Sequence, residues 1–267
     1  MGNIPYLIPF NYFRNKAKFY CMKVALFGYG KMGKEIEKIL LERGHTIAAK
    51  IDSNTNLSDI DVNQIDVAIE FSTPQTAHTN ISFCVANKIP IIVGTTGEWY
   101  DHLEELSLAC KANGSALVYG TNFSIGVNIF FSINETLAKI MNSNLGYDCS
   151  VKEVHHTEKK DSPSGTGITI AEDIIANNSH YHHWENVNKS KISTPHTLSL
   201  ESERLPDVPG THIVSYENEI DRIDLTHTAK NRKGFALGSV LAAEWINRKE
   251  GVYSIKEIMP ELIKTLI

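Results

Sequence analysis

The sequence predicts an α/β protein in which a doubly wound parallel sheet is followed by an inserted α+β domain. Three observations predict it. A short apolar strand, Lys23 to Phe27, runs straight into the glycine turn Gly28-Tyr-Gly-Lys-Met-Gly33 and then a helical pattern. Strands and helices alternate as far as residue 119, which is how parallel βα units read. Beyond residue 141 longer strands take over, so a second kind of sheet is expected there.

Taken in order, Met32, Ile36, Ile39 and Leu40 recur at helical spacing, and Gly44 supplies a stop. His45 to Ile51 reads as a second strand ending at Asp52. Strand, glycine turn, helix, strand and acid together make a dinucleotide-binding unit. Gly28, Gly30 and Gly33 allow a tight turn and close approach of backbone to a pyrophosphate. Tyr29, Lys31 and Met32 complete that cofactor-binding turn. Asp52 is placed to accept hydrogen bonds from the adenosine ribose hydroxyls.

The alternation continues with a strand at Val67 to Glu70, a helical run to Asn87, a strand at Ile89 to Val93 and a helix through Leu103, Leu106 and Ala109. Another strand, Ala116 to Tyr119, follows. In doubly wound sheets ligands bind beyond the carboxyl ends of the strands. Phe71-Ser-Thr, Gly94-Thr95-Thr96 and Gly120-Thr121-Asn122-Phe123 all fall at such ends, as does the first glycine turn. Four small-residue turns on one sheet edge describe a cofactor cleft.

Ser124 to Met141 carries Ile125, Ile129, Ile133, Leu137 and Ile140, a helix on an i, i+4 stripe, and the domain change is expected near its start. Strands are expected at Cys149 to Val154, Thr197 to Leu200, His212 to Tyr216 and Glu219 to Thr226, in a mixed or antiparallel sheet. The polar stretch from Asn177 to Ser193 reads as a surface loop. Its His180, His182 and His183 have no carboxylate or cysteine at ligand spacing in a fixed element, so no metal is expected. The apolar helix Phe235 to Ile246 is too buried in character to be a tail, and its natural place is back against the first domain. The expected division is therefore an extension over 1–21, a dinucleotide-binding domain over 22–123, a substrate-binding domain over 124–231, and a returning segment over 232–267.

The chemistry concentrates in Glu153-Val-His-His-Thr-Glu-Lys-Lys-Asp-Ser-Pro-Ser-Gly-Thr166. Two imidazoles and two ammonium groups precede a Ser164-Gly165-Thr166 turn at the expected start of a helix. Free N–H groups and the positive end of the helix dipole make such a turn an anion site. Proton donors beside an anion-binding turn point to an acidic substrate. An imidazole titrating near neutrality suits proton transfer, and a lysine ammonium can donate a proton or hold a carboxylate.

The totals are those of a globular protein with a real core: 267 residues, 42% hydrophobic and 21% charged. A net charge of −5 gives no support to a nucleic-acid or anionic-membrane partner. No apolar run reaches the roughly 18–20 residues needed to span a bilayer. Cysteines 21, 84, 110 and 149 are scattered, which argues against a disulfide framework and fits a reducing cytoplasm. Residues 1–21 read as an extension that contributes little to function, the alternative being an arm on a neighbouring subunit.

Glu153-x-His-His-x-x-Lys-x-Asp-x-Pro-Ser-Gly-Thr166, preceded by Gly28-Tyr-Gly-Lys-Met-Gly33, Gly94-Thr-Thr-Gly97 and Thr121-Asn-Phe123, resembles the 4-hydroxy-tetrahydrodipicolinate reductases, long called dihydrodipicolinate reductases. The resemblance runs from Met22 to about Asn247. It implies a homotetramer with an N-terminal Rossmann domain and a C-terminal domain for substrate binding and assembly. It further implies reduction by NADH or NADPH of a cyclic, imine-containing dicarboxylate on the diaminopimelate route to lysine. Carried over by motif, His155 matches the proton donor and acceptor, Lys159 the proton donor, and His156 a substrate contact. Gly165 and Thr166 match the amides that hold a substrate carboxylate. Some members place an arginine after the acid that meets the ribose. This chain has Ser53 there, with Lys50 the nearest cation, so NADH is the expected preference, NADPH remaining possible. The family's glycine turn often carries one more residue and an arginine, whose place Lys31 takes.

Overall fold

A computed structural model describes residues 21–143, 146–188 and 195–264. The expected N-terminal extension lies, but for Cys21, outside the described residues. The described residues form two compact units, one comprising residues 21–93, 97–119 and 239–264, the other residues 94–96, 120–143, 146–188 and 195–238.

The first unit alternates β1 (Lys23–Phe27), α1 (Lys31–Glu42), β2 (Thr46–Ile51), β3 (Val67–Glu70), α2 (Pro74–Ala86), β4 (Ile91–Val93), α3 (Leu103–Asn113) and β5 (Ala116–Tyr119). Its six-stranded sheet has the order β11-β5-β4-β3-β1-β2, where β11 is Gly251–Ser254, and every pairing is parallel. The strand order reverses between β1 and β3, the topological switch point at which such sheets take ligands. Register brings the carboxyl ends into line: Phe27 pairs with Ile51 and Glu70, Glu70 with Val93, and Val93 with Tyr119. Strands buried on both faces must be continuously apolar, and Val24 to Phe27, Val67 to Ile69 and Ile91 to Val93 are so and fully buried. Ile81, Cys84, Val85, Trp99 and Leu106 cover one face of this sheet.

Two elements here escaped the sequence pattern. β11 is only four residues long and extends the sheet beyond β5, and α7 (Ile255–Lys264) follows it directly. β4 is shorter than expected and begins after Pro90, which has no N–H for a ladder.

The second unit holds α4 (Ile125–Met141), β6 (Asp148–His155), α5 (Gly165–Asn177), β7 (His183–Asn186), β8 (Thr197–Arg204), β9 (Thr211–Glu217) and β10 (Arg222–Thr228), leading into α6 (Lys233–Ile246). The sheet order is β10-β9-β6-β8-β7, mixed as expected: β8 is parallel to β6 and β7, and the other pairs are antiparallel. Inward residues Cys149, Val151, Leu198, Leu200, Val214 and Tyr216 pack with Val127, Phe130 and Phe131 of α4 and Ile170 and Ile174 of α5.

Two expectations are corrected in this unit, and the packing of α4 adds a third finding. The polar stretch from Asn177 is not wholly loop, because His183–Asn186 pairs with β8 as the edge strand β7; residues 189–193 lie outside the described ones. The last strand starts at Arg222 rather than Glu219. The Asn218 side chain accepts from the N–H groups of Ile220 and Asp221, at 2.8 and 2.9 Å, and so makes residues 218–221 the turn between β9 and β10. The isoleucine stripe of α4 is not its buried face. Ile129 and Ile133 are exposed, while Val127, Phe130, Phe131, Asn134 and Ala138 are buried. The helix carries two overlapping apolar stripes, and the one with the phenylalanines packs on the sheet.

Candidate active site

The glycine turn links β1 to α1. Gly28 has φ +90°, and a β-carbon there would collide with the Phe71 carbonyl at the end of β3. A β-carbon on Gly33 would strike the Gly28 carbonyl. Both positions therefore require glycine for packing alone. Gly30 is different. Nothing lies within 4 Å of where its β-carbon would stand, so the turn leaves open space at the residue preceding α1, where helix N–H groups favour a phosphate.

Tyr29 and Lys50 form a clamp beside this turn. The Tyr29 hydroxyl donates to Glu37 Oε2, and Lys50 Nζ reaches Glu37 Oε1 at 2.7 Å and the Tyr29 oxygen at 3.0 Å. Lys50 Nζ also stands 4.4 Å from the Tyr29 ring centroid. The hydrogen bonds from Lys50 and then Tyr29 hold the Glu37 carboxyl below its ordinary value. Lys31 is exposed and Met32 half-buried in the first turn of α1. Asp52, exposed at the end of β2, uses Oδ1 to accept from Asn54 N–H at 2.9 Å and Thr55 Oγ1 at 3.2 Å.

The other two proposed cofactor turns, Gly94–Thr96 and Gly120–Phe123, follow β4 and β5 in the chain but belong to the second compact unit. There, Asn122 Nδ2 donates to Thr166 Oγ1 at 3.0 Å, and the hydroxyls of Thr121 and Thr169 lie 3.2 Å apart. Asn122 Oδ1 accepts from Ser124 N–H at 2.9 Å, and its carbonyl accepts from Asn128 Nδ2 at 2.8 Å. Thr95 and Phe123 are buried. Thr121 and Asn122 are thus tied to the start of α5.

That start is the expected anion turn. Ser164 caps α5 through Oγ, which accepts from Gly167 N–H at 3.0 Å, and its carbonyl accepts from Ile168 N–H at 3.0 Å. The N–H groups of Gly165 and Thr166 take no partner among the described residues. Two adjacent amides at the start of α5 are therefore unpaired among the described residues.

β6 alternates inward and outward, so Glu153 and His155 share the buried face with Cys149 and Val151. Glu153 is 0% exposed. It accepts from Ser164 N–H at 3.0 Å, from Ser164 Oγ, from Ser202 Oγ at 3.0 Å and from Arg204 Nη2 at 3.4 Å. Burial opposes ionisation, but the His212 ring, the Ser164 hydroxyl and N–H and the charge of His155 outweigh it and bring the carboxyl down to about 2.

His155 is 7% exposed, and its ring meets that of His212 edge-on, centroids 5.1 Å apart. The expectation of an imidazole titrating near neutrality is not met. Burial, then the charge of His212, with Lys159 and Arg204 adding to them, push His155 down to about 4 against the pull of Glu153. At neutral pH the ring is neutral. Lys159 Nζ lies 2.8 Å from Asp161 Oδ1. His156 is half-buried, and its Nδ1, like that of His155, has no hydrogen-bond partner among the described residues.

The sequence pattern assigned no role to Glu153, Ser202, Arg204 or His212. Glu153 was detectable: an acid at an inward position of an alternating strand needs a reason to be there. Ser202, Arg204 and His212 arrive on β8 and β9, more than 35 residues beyond Thr166, and no spacing rule connects them to it.

Both halves of the chain match known proteins. A family model described as dihydrodipicolinate reductase, N-terminus, matches residues 22–123, and one described as dihydrodipicolinate reductase, C-terminus, matches residues 126–259. A 4-hydroxy-tetrahydrodipicolinate reductase of Christiangramia forsetii is 43% identical over 243 residues, 91% of this chain and 100% of that one. The enzyme of that name from Thermosipho africanus is 34% identical over 242 residues, 90% of this chain and 99% of its own. Among solved structures, dipicolinate-bound dihydrodipicolinate reductase from Paenisporosarcina sp. TG-14 superposes with a TM-score of 0.74 at 21% identity, over 90% of this chain and 100% of that one. Matched along both halves, the chain belongs to the dihydrodipicolinate reductase family.

Proposed function

We propose that the protein reduces 4-hydroxy-tetrahydrodipicolinate to tetrahydrodipicolinate with loss of water, on the diaminopimelate route to lysine. Membership of the family supports the reaction. The observation that carries the site is the pair of unpartnered N–H groups on Gly165 and Thr166, in one short segment with His155, His156 and Lys159. Residues 22–123 serve the cofactor and 124–231 the substrate.

The residues fit a nicotinamide dinucleotide: the turn at Gly28–Gly33 leaves room at Gly30, and Asp52 follows the second strand. When bound, the cofactor supplies the hydride. Gly28, Tyr29, Gly30, Lys31 and Met32 hold its pyrophosphate, Asp52 its ribose, and Gly94, Thr95, Thr96, Gly120, Thr121, Asn122 and Phe123 complete the site. The substrate presents two carboxylates. Gly165 and Thr166 N–H groups receive one of them, and His156 contacts the substrate. The departing hydroxyl leaves as water and needs a proton. Lys159 supplies it from its ammonium, and the neutral His155 ring carries the proton in or out.

NADH is the preferred reductant in this proposal. A 2′-phosphate would meet the Asp52 carboxylate, and Lys50 is held by Glu37 and Tyr29. The assembly is a homotetramer and the setting the cytoplasm; no helix among the described residues is long and apolar enough to cross a membrane.

The freshly formed condensation product of pyruvate and aspartate semialdehyde is expected to drive oxidation of NADH. Folded protein that oxidises neither NADH nor NADPH in that assay would refute the proposal. Sedimentation velocity tests the tetramer.

A further inference from the structure

We infer that Glu153 is a positioning residue for this reaction: its carboxylate holds the Ser164–Thr166 turn in place and is the anion that faces His155, with His212 closing its shell. The inference rests on the proposed function and deepens it.

A wholly buried carboxylate beside a turn that is to receive a substrate carboxylate needs an explanation, since like charges repel and burial is costly. Every polar group bonded to Glu153 is a donor: Ser164 N–H and Oγ, Ser202 Oγ, and the Arg204 guanidinium. An acceptor-only group is required there, and a neutral amide would turn an N–H toward a donor. By taking Ser164 N–H and Oγ, Glu153 seats the cap of α5. Ser164 Oγ in turn satisfies Gly167 N–H. The first two N–H groups of the helix are left over, and they are the two the substrate carboxylate is proposed to use.

Glu153 meets the acid–base group on its other side. His155 Nδ1 lies 3.9 Å from Glu153 Oε2, and His212 Nε2 lies 3.7 Å from the same oxygen. Gly210 backs the His155 ring, with room for no more than 3.2 Å between a β-carbon there and Cδ2 or Nε2. The charged and titratable groups facing His155 are Glu153 from its own strand, Arg204 from β8, His212 from β9 and Lys159 from the following loop. Glu153 is the one anion among them. It alone favours protonation of the ring, so one side chain links the geometry of the carboxylate turn to the charge of the proton carrier.

Two variants separate reach from charge. Glu153→Gln keeps the size and loses the charge; Glu153→Asp keeps the charge and withdraws from Ser164 by one methylene. NMR titration of the His155 ring and binding of pyridine-2,6-dicarboxylate, a stable aromatic dicarboxylate, need no turnover. Glu153→Gln is expected to move the His155 titration down by ~1 unit and to weaken dicarboxylate binding about tenfold or more. Glu153→Asp should keep the titration near wild type and still weaken the dicarboxylate. In the reductase assay both should raise KM for the substrate and leave KM for the nicotinamide within about twofold. Folded variants with unchanged titration and unchanged dicarboxylate affinity would overturn the inference. If Glu153→Gln does not fold, Ser202→Ala, which removes one donor to Oε1, takes its place. It must weaken the dicarboxylate, and an unchanged affinity counts against the role. Failure of wild-type protein to oxidise either nicotinamide, with these binding and titration effects present, would instead strike the proposed reaction.

Discussion

Glu153 Oε2 lies 2.6 Å from where a β-carbon on Gly167 would stand. The fourth residue of the Ser-Gly-Thr-Gly run is therefore small because an acid fourteen residues earlier in the chain occupies its side-chain space. Gly→Ala inside a helix ordinarily gains about 1 kcal/mol. Here the methyl would press on a carboxylate held by Ser164, Ser202 and Arg204, and overpacking of that kind costs about 1–3 kcal/mol. Gly167→Ala is expected to lower Tm by about 2–6 °C. A rise in Tm on thermal unfolding would show that the carboxylate can move aside.

The buried histidine and the buried acid leave separate marks on stability. His155 titrates at about 4 in the folded protein against an ordinary 6.5. The unfolded chain therefore binds this proton first, and the contribution of the neutral ring is complete above about pH 6.5 and lost as pH falls toward 4. The loss is about 2–4 kcal/mol. Glu153, held near 2 against an ordinary 4.5, contributes above about pH 4.5, and that contribution fades as pH falls toward 2. Urea unfolding at pH 7 and pH 5 measures the first window. His155→Gln should flatten the decline between those two points, and an equally steep decline in the variant would assign it to other groups.

Local pattern was enough for the first sheet. Gly28-Tyr-Gly-Lys-Met-Gly33 between Phe27 and a helix with Ile36, Ile39 and Leu40 on one face admits few other arrangements, and the strand ends follow from alternation. β11 and β7 were not legible for opposite reasons. β11 is short and lies beyond the last helix that the sequence pattern marked, and β7 is an edge strand whose His183 and Glu185 carry no apolar signal. In the site, the Ser164–Thr166 turn and the histidine pair stood in one contiguous run. Arg204 and His212 did not, because strand pairing rather than chain proximity delivers them: Arg204 is opposite His155, and His212 opposite Glu153. Nor could residue identity disclose the protonation of His155, which depends on burial and on neighbours brought by those same strands.

Proton transfer and cofactor binding should separate by mutation. Lys159→Ala and His155→Gln are each expected to lower kcat by about 10²–10⁴-fold while KM for the nicotinamide stays within about twofold. Steady-state kinetics with each substrate varied in turn distinguishes this from a structural defect. Parallel losses of cofactor affinity would place these residues outside the proton path.

The Lys50 clamp predicts how cofactor choice can be changed. Lys50 Nζ is engaged by Glu37 at 2.7 Å and Tyr29 at 3.0 Å, on the strand that ends one residue before Asp52. Glu37→Gln removes the stronger partner and a negative charge, leaving an ammonium able to turn toward a 2′-phosphate. The ratio of kcat/KM for NADPH to that for NADH should rise by about 3–10-fold, equivalent to roughly 0.7–1.4 kcal/mol of transition-state discrimination. Asp52→Asn should move the ratio the same way by removing the repelling charge, and the double variant should exceed either alone because the two changes act on different charges. Wild-type protein that already favours NADPH strongly, or a Glu37→Gln ratio that does not move, would mean that neither Asp52 nor the clamp reads the ribose.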